Sequence, residues 1–366
     1  MKKVFYQSFT ILCFAVFIFS KTNAQGVGIN GTGALPDPSA MLHVDAGPKG
    51  FLVTGTPGTG LPDLGAGSRL MFYPGKSAFR SGYVDGTQWD NIYVGQYSVA
   101  MGFNTTAYGI YSSALGKSTF AFGTTSTAMG YNTRANGANS TAMGNSTQAN
   151  GINSIAMGNN AIANGNNSTA MGSFVSTNGK TGAFIISDAI GTGSMSSADN
   201  EMTMGFSGGF RLYTNSTTAT GAFLPANGNA WVSVSDVNRK ENFEPLDGED
   251  VLQKMSKIEF TSWNYKQQDP KVYRHYGIMA QDFYKAFGHD QFGRIGNDTT
   301  VNPIDMIGID MTAIQALEKR TADLRHENES LKASVDELQK KFTEQQKLLE
   351  QILNDTKKTQ KISFSK

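Results

Sequence analysis

The sequence predicts a mainly β chain with a helical C-terminal end: a β-roll solenoid, then a small α/β domain, then a coiled coil. Three observations predict it. Glycine recurs every seven residues from Gly95 to Gly179. At Ser235 the composition changes, and charges, Trp and helix formers arrive together. From Leu317 onward a heptad pattern of apolar residues sets in. These divide the chain into an N-terminal leader (1–24), an irregular β region (25–90), the roll (91–179), a β connector (180–231), an α/β domain (232–309), a coiled coil (310–354) and a tail (355–366).

The leader reads as a secretory signal peptide. Lys2 and Lys3 precede an apolar run from Phe9 to Phe19, and Thr22-Asn23-Ala24 forms a small-residue cleavage site before Gln25. The run is shorter than the ~20 residues that span a bilayer, and no later stretch is longer. Cleavage after Ala24 would remove Cys13, the one cysteine of the chain. The mature chain is therefore expected to be secreted, to lack an integral membrane segment, and to have no disulfide, thiolate metal site or cysteine nucleophile.

Residues 25–90 are rich in Gly and Pro, with short apolar runs such as Gly50-Phe51-Leu52-Val53. Gly26-Val27-Gly28-Ile29-Asn30-Gly31 matches a dinucleotide fingerprint, but no βαβ unit surrounds it. Gly116-Lys117-Ser118 has its upstream glycine, Gly109, at the repeat spacing rather than that of a phosphate loop. His43, His275, His289 and His326 have no metal-ligand spacing. With a net charge of +1 there is no basic footprint for nucleic acid. No cofactor, metal or nucleic acid is expected.

The seven-residue glycine spacing is half of a 14-residue unit. Three residues after each glycine, Ser and Thr alternate: Ser98, Thr105, Ser112, Thr119 and so on to Ser154. Alanine stands two residues before the glycines, from Ala100 to Ala170. So much Gly, Asn, Ser and Thr excludes helix. Short strands broken by turns fit, two per unit, which is one coil of a flattened roll. Strand alternation puts the Ser/Thr and Ala positions inside and a ladder of Met101, Leu115, Met129, Met143, Met157 and Met171 outside. On the opposite strand the matching places are Tyr108, Phe122, Asn136, Asn150 and Asn164. An interior of alanine buries little area, and an exposed Met stripe asks to be covered. We expect Met101, Met129, Met143, Met157 and Met171 to pack against the same stripe of sister chains. The segment 91–179 has only Lys117 and Arg134 as charges, so it offers no acid–base machinery.

These coils resemble the head repeats of YadA-type trimeric autotransporter adhesins, on Ser-x-Ala-Met-Gly recurring in register. The resemblance implies a left-handed parallel β-roll, assembled as a trimer in a surface fibre. Its ligand, on a host or an environmental surface, is left open.

Beyond the connector, with strands expected around Met202–Met204 and Phe210–Tyr213, comes the richest stretch. It runs Ser235-Asp236-Val237-Asn238-Arg239-Lys240-Glu241-Asn242-Phe243, then Trp263-Asn264-Tyr265, then Gly277-Ile278-Met279-Ala280-Gln281-Asp282-Phe283, then Val301-Asn302-Pro303-Ile304-Asp305. Trp263, Tyr265 and the Phe283-Tyr284 pair are expected in a core. Leu317, Leu324, Leu331, Leu338, Gln345 and Ile352 form the d positions of six heptads. The a positions are Ile314, Thr321, Asn328, Val335, Phe342 and Leu349, where Asn328 fixes register at some cost in stability.

This order of motifs resembles the endosialidase-type intramolecular chaperones, also called tail-spike chaperone peptidases, over residues 232–354. The resemblance implies a homotrimer, with Leu317, Leu324, Leu331 and Leu338 in its seam. It also implies one self-cutting event by a Ser–Lys dyad, here Ser235 and Lys240, at the Val234–Ser235 bond. Where many relatives carry Arg three residues after the serine, this chain has Asn238, followed by Arg239. A serine needs a base beside it, and lysine is a base only when neutral, which burial favours. The residues alone also allow an uncut, adhesin-like trimer in which the domain only holds three chains together. A phage tail fibre is disfavoured by the signal peptide. A glycan-cleaving enzyme is disfavoured because residues 25–234 present no paired carboxylates in a plausible frame.

Overall fold

The computed structural model describes residues 26–55, 63–188, 193–217 and 220–363. The signal peptide and its cleavage site lie outside the described residues. The chain divides into two compact units between Val234 and Ser235.

The first unit opens with a parallel pair, β1 (Val27–Asn30) and β2 (Leu42–Asp45). A hairpin follows, β3 (Gly67–Tyr73) against β4 (Ala78–Val84). Then long and short strands alternate. They are β5 (Val99–Phe103) and β6 (Thr106–Ala107), then β7 (Ser113–Lys117) and β8 (Phe120–Ala121). Next come β9 (Thr127–Tyr131) and β10 (Arg134–Ala135), β11 (Thr141–Asn145) and β12 (Gln148–Ala149). The series goes on with β13 (Ile155–Asn159) and β14 (Ile162–Ala163), β15 (Thr169–Ser173) and β16 (Val175–Ser176). It ends with β17 (Phe184–Ser187), β18 (Ser194–Met195) and β19 (Met202–Gly205).

Every long strand pairs in parallel with the next long one, and every short strand with the next short one. Each strict coil advances by 14 residues, so Met143 meets Met129 on one side and Met157 on the other. The regular glycine spacing stops at Gly179, yet β17, β18 and β19 continue both sheets. At the other end β4 pairs in parallel with β5 and so joins the roll.

The interior is as small as its residues. The alanines from Ala100 to Ala170 and the Ser and Thr columns are fully buried, with Val175 and Ile185 filling the far end. Ser98, Ser112, Ser154 and Ser168 each turn their hydroxyl onto the carbonyl of the glycine three residues before, at 2.6 Å. The glycines are required because coils touch there. A Cβ on Gly137 would lie 1.9 Å from the Gly151 carbonyl oxygen, and one on Gly144, at φ +122°, would lie 2.0 Å from that of Gly158. Two residues after each glycine the chain turns through the left-handed region, where Asn is well tolerated. Asn132, Asn139, Asn153, Asn160 and Asn167 stand there, as do Thr125 and Phe174.

The near end of the roll is closed by donors from the β3–β4 region. Arg80 is fully buried and reaches the carbonyls of Phe79, Ser98 and Ala107 and the Ser98 hydroxyl, at 2.8–3.1 Å. Burial pushes its guanidinium down to about 10. The Trp89 indole donates to the Thr105 carbonyl at 2.8 Å, and Lys76 to the carbonyls of Asn91 and Val94. After the roll a three-stranded antiparallel sheet forms from β20 (Gly209–Tyr213), β21 (Gly221–Pro225) and β22 (Val232–Ser233).

The second unit is α/β. Helix α1 (Gly248–Met255) is capped by Asp247, whose carboxylate accepts from the backbone N–H groups of Glu249 and Asp250. The hairpin β23 (Thr261–Trp263) and β24 (His275–Gly277) precedes α2 (Ala280–Phe287). The long helix α3 (Pro303–Ser363) runs 61 residues, or about 90 Å at 1.5 Å per residue. α1 lies against α3 through Val251, Ala313 and Ala316, all buried. A Cβ on Gly248 would come within 2.8 Å of the Ala316 methyl, so the close approach needs glycine. Arg320 on α3 holds the Glu249 carboxylate.

Candidate functional site

The residues at the start of the second unit fold back on themselves in one short turn. Asp236 begins it. Its carboxylate accepts from the backbone N–H of Asn238 at 3.0 Å and from the Asn238 side-chain amide at 2.9 Å. That carboxylate caps a single 3₁₀ turn over Val237–Arg239, which closes when Lys240 N–H donates to the Val237 carbonyl at 3.2 Å. Short polar side chains that bond their own backbone favour such turns over longer helices. The chain leaves extended at Lys240.

The turn brings together the two residues singled out by sequence. Lys240 Nζ lies 2.7 Å from Ser235 Oγ. Both side chains are exposed, whereas Val234 is half-buried. The Arg239 guanidinium lies 3.9 Å from the second carboxylate oxygen of Asp236. The bonds from Asn238, with Arg239 beside them, hold the Asp236 carboxyl below the usual carboxylate range. Among the described residues Lys240 makes no ion pair. A lysine in contact with a serine hydroxyl is the arrangement that nucleophilic catalysis requires, and it becomes active when the amine is neutral and accepts the hydroxyl proton.

The other expected residues fall as follows. Met101 and Met129 lie on the outside of the roll, 43% and 36% exposed, while Met143, Met157 and Met171 are half-buried. They form one column with Leu115 along the long-strand sheet. Leu317, Leu324, Leu331 and Leu338 form an exposed stripe down α3, with Ile314, Val335, Phe342 and Leu349 beside them. Phe283 is buried and Trp263 and Tyr284 are half-buried. Tyr265, expected in a core, is instead exposed. It packs edge-on against Trp263 at 4.9 Å, because the two-stranded hairpin has too little sheet to cover both rings. Trp263 also faces His275 at 4.7 Å, beside a cleft of 660 Å³ whose walls include Met279 and Val301. Arg80 and Trp89 escaped sequence reasoning, since nothing in a Gly- and Pro-rich stretch marks which cation is buried. The pairing of Asp236 with Asn238 also went unread, since in that stretch Ser235 and Lys240 alone were singled out.

Among the described residues no group of three or more His, Cys, Asp or Glu is arranged to hold a metal ion. No described helix is long and apolar enough to cross a membrane.

Two family models match the chain. Residues 235–290 match the peptidase family described as chaperone of endosialidase. Residues 94–119, 123–147 and 149–174 match the YadA head domain repeat. No curated protein matches the chain. The first match starts at Ser235, the residue at which the second compact unit also starts. Together the matches mark a fibre- or adhesin-type chain with a chaperone-type C-terminal domain, and head repeats of this kind imply trimeric assembly.

Proposed function

We propose that this protein is an exported homotrimeric fibre whose C-terminal unit directs assembly and then cuts itself off, once, at the Val234–Ser235 bond. The observation that carries the reading is the 2.7 Å contact between Lys240 Nζ and Ser235 Oγ at the first residue of the second unit. The Ser235 hydroxyl adds to the Val234 carbonyl carbon, and its proton passes to Lys240. The bond from that carbon to the Ser235 nitrogen breaks, and the nitrogen takes a proton to become a free amine. Water then hydrolyses the ester left on Oγ, releasing the Val234 carboxylate and restoring the hydroxyl. Since Lys240 is exposed in the single chain, the burial that would neutralise it has to come from assembly, which ties cutting to correct folding.

The fibre role rests on the two apolar stripes. The Met column on the roll and the heptad seam of α3 are surfaces that sister chains of the same sequence cover in register. A second reading keeps the chain whole, with the C-terminal unit as a trimerisation module only. The exposure of both dyad side chains favours it, and one experiment separates the two. The full-length chain is expressed, exported and examined by denaturing gel and intact mass. Self-cutting gives one fragment ending at Val234 and another starting at Ser235, while Ser235→Ala and Lys240→Ala chains stay in one piece. A wild-type trimer that remains intact assigns the module role, and a Lys240→Ala chain that still splits removes the dyad.

A further inference from the structure

The turn that presents Ser235 to Lys240 also carries a carboxylate, and that carboxylate is the obstacle to the chemistry. Asp236 follows the nucleophile directly and Lys240 lies four residues on, so a free Asp236 could swing to the lysine and pair with it. An acid beside a lysine holds it protonated, which is the wrong state for a base. In this chain Asp236 is occupied elsewhere. Oδ1 takes both donors of Asn238, at 3.0 and 2.9 Å, and Oδ2 has Arg239 at 3.9 Å. The other charges near Lys240 are its chain neighbours Arg239 and Glu241. Lys240 is exposed, and no other element brings a described charged group into ion-pair distance of it.

Building on the Ser–Lys reading above, we infer that Asn238 is a positioning residue for the self-cutting pair: with Arg239 it clamps the Asp236 carboxylate away from Lys240, leaving the amine to Ser235 alone. Asn238 and Arg239 divide the work between them. Asn238 orients one carboxylate oxygen through its backbone N–H and its side-chain amide, and the guanidinium balances the charge on the other. The neutral amide adds no charge of its own beside the lysine, and the turn capped by Asp236 lies between the two residues of the 2.7 Å contact.

The test is the pH dependence of cutting in the full-length chain, followed by gel after refolding, with trimer formation checked by light scattering. Asn238→Ala removes the side-chain amide bond and leaves Oδ1 held by the backbone N–H alone, so the carboxylate is freer to turn toward Lys240. The rise of cutting rate with pH is expected to move to higher pH by about half to one unit, read at pH 7 as roughly three- to tenfold slower cutting. Asp236→Asn keeps an acceptor for the turn and removes the charge. The double variant Asn238→Ala/Asp236→Asn is therefore expected to bring the profile back to the wild-type pH or below it. A profile that stays in place in Asn238→Ala, or a rate lowered equally at every pH and not rescued in the double variant, overturns the inference. If Asn238→Ala fails to assemble, Asp236→Asn decides alone: a profile left in place supports the clamp, and one moved to lower pH shows Asp236 acting on Lys240 despite Asn238 and sinks it. Wild-type chains that never cut at any pH instead overturn the dyad reading itself, so the two failures are distinguishable.

Discussion

At the scale of single residues, the cation that closes the roll is the least expected. Arg80 is fully buried and none of its hydrogen bonds reaches a carboxylate. Two of the carbonyls it reaches keep backbone donors of their own: Phe79 N–H donates to Ser98, and Gly95 N–H to Ala107. The guanidinium is thus a filler of the end coil more than a sole source of hydrogen bonds, and burying it is costly, as its lowered pKa indicates. Replacing buried charge by an apolar side chain of similar volume is often neutral or stabilising. Arg80→Met is therefore expected to leave the thermal midpoint of the roll, followed by circular dichroism, unchanged or raised. Arg80→Ala leaves a cavity instead and should lower stability by about 2–4 kcal/mol. Equal losses in the two variants would show that the charge itself holds the end coil. The Ser235–Lys240 contact, by contrast, joins the two residues that the family resemblance pointed to, which their spacing alone did not mark.

At the scale of elements, the roll was legible because its sequence period is its coil. A residue repeated every 14 positions stacks on itself, so the inside, outside and turn columns follow from counting. Asn136, Asn150 and Asn164 form such a column, joined amide to amide at 2.6 Å, and Asn139, Asn153 and Asn167 form another at 2.9–3.0 Å. The parts without a period were less legible: the β3–β4 hairpin was not expected, and beyond Gly179, where the spacing lengthens and the stacking goes on, the strand at Met202–Met204 was expected while β17 and β18 were not. The same columns point to a weak coil. Thr125 occupies the left-handed turn at φ +58°, which a β-branched residue adopts at a cost of order 1 kcal/mol. It stands one coil before Asn139. Thr125→Asn should relieve that strain and extend the Asn139–Asn153–Asn167 ladder by one rung. The expected gain is about 1 kcal/mol per chain, seen as a higher midpoint in urea unfolding with an unchanged slope. A lowered midpoint would mean that the threonine makes contacts in the assembled fibre that outweigh the strain.

At the scale of the whole molecule, each unit carries an apolar stripe that is partly or wholly exposed in the single chain. The roll has its Met column and α3 its heptad seam. Burying a leucine is worth roughly 1.5–3 kcal/mol, so four seam leucines per chain, with their a-position neighbours, outweigh any single contact inside the small α/β domain. The apolar stripe of α3 was plain in the sequence, because heptads are local. What was not legible is that Ser235 and Lys240 would meet with no cover from their own chain: burial depends on surfaces that one chain's sequence names but does not supply. If assembly provides that cover, the seam controls the chemistry at a distance along the chain. Leu324→Asp with Leu331→Asp places two charges in the seam, while α1 packs on α3 further up, at Ala313 and Ala316, and should hold its place. The double variant is expected to be monomeric by light scattering and to remain uncut at Val234–Ser235. A monomer that still cuts at the wild-type rate would mean that the dyad is complete within one chain and that trimer formation and self-cutting are independent properties of the C-terminal unit.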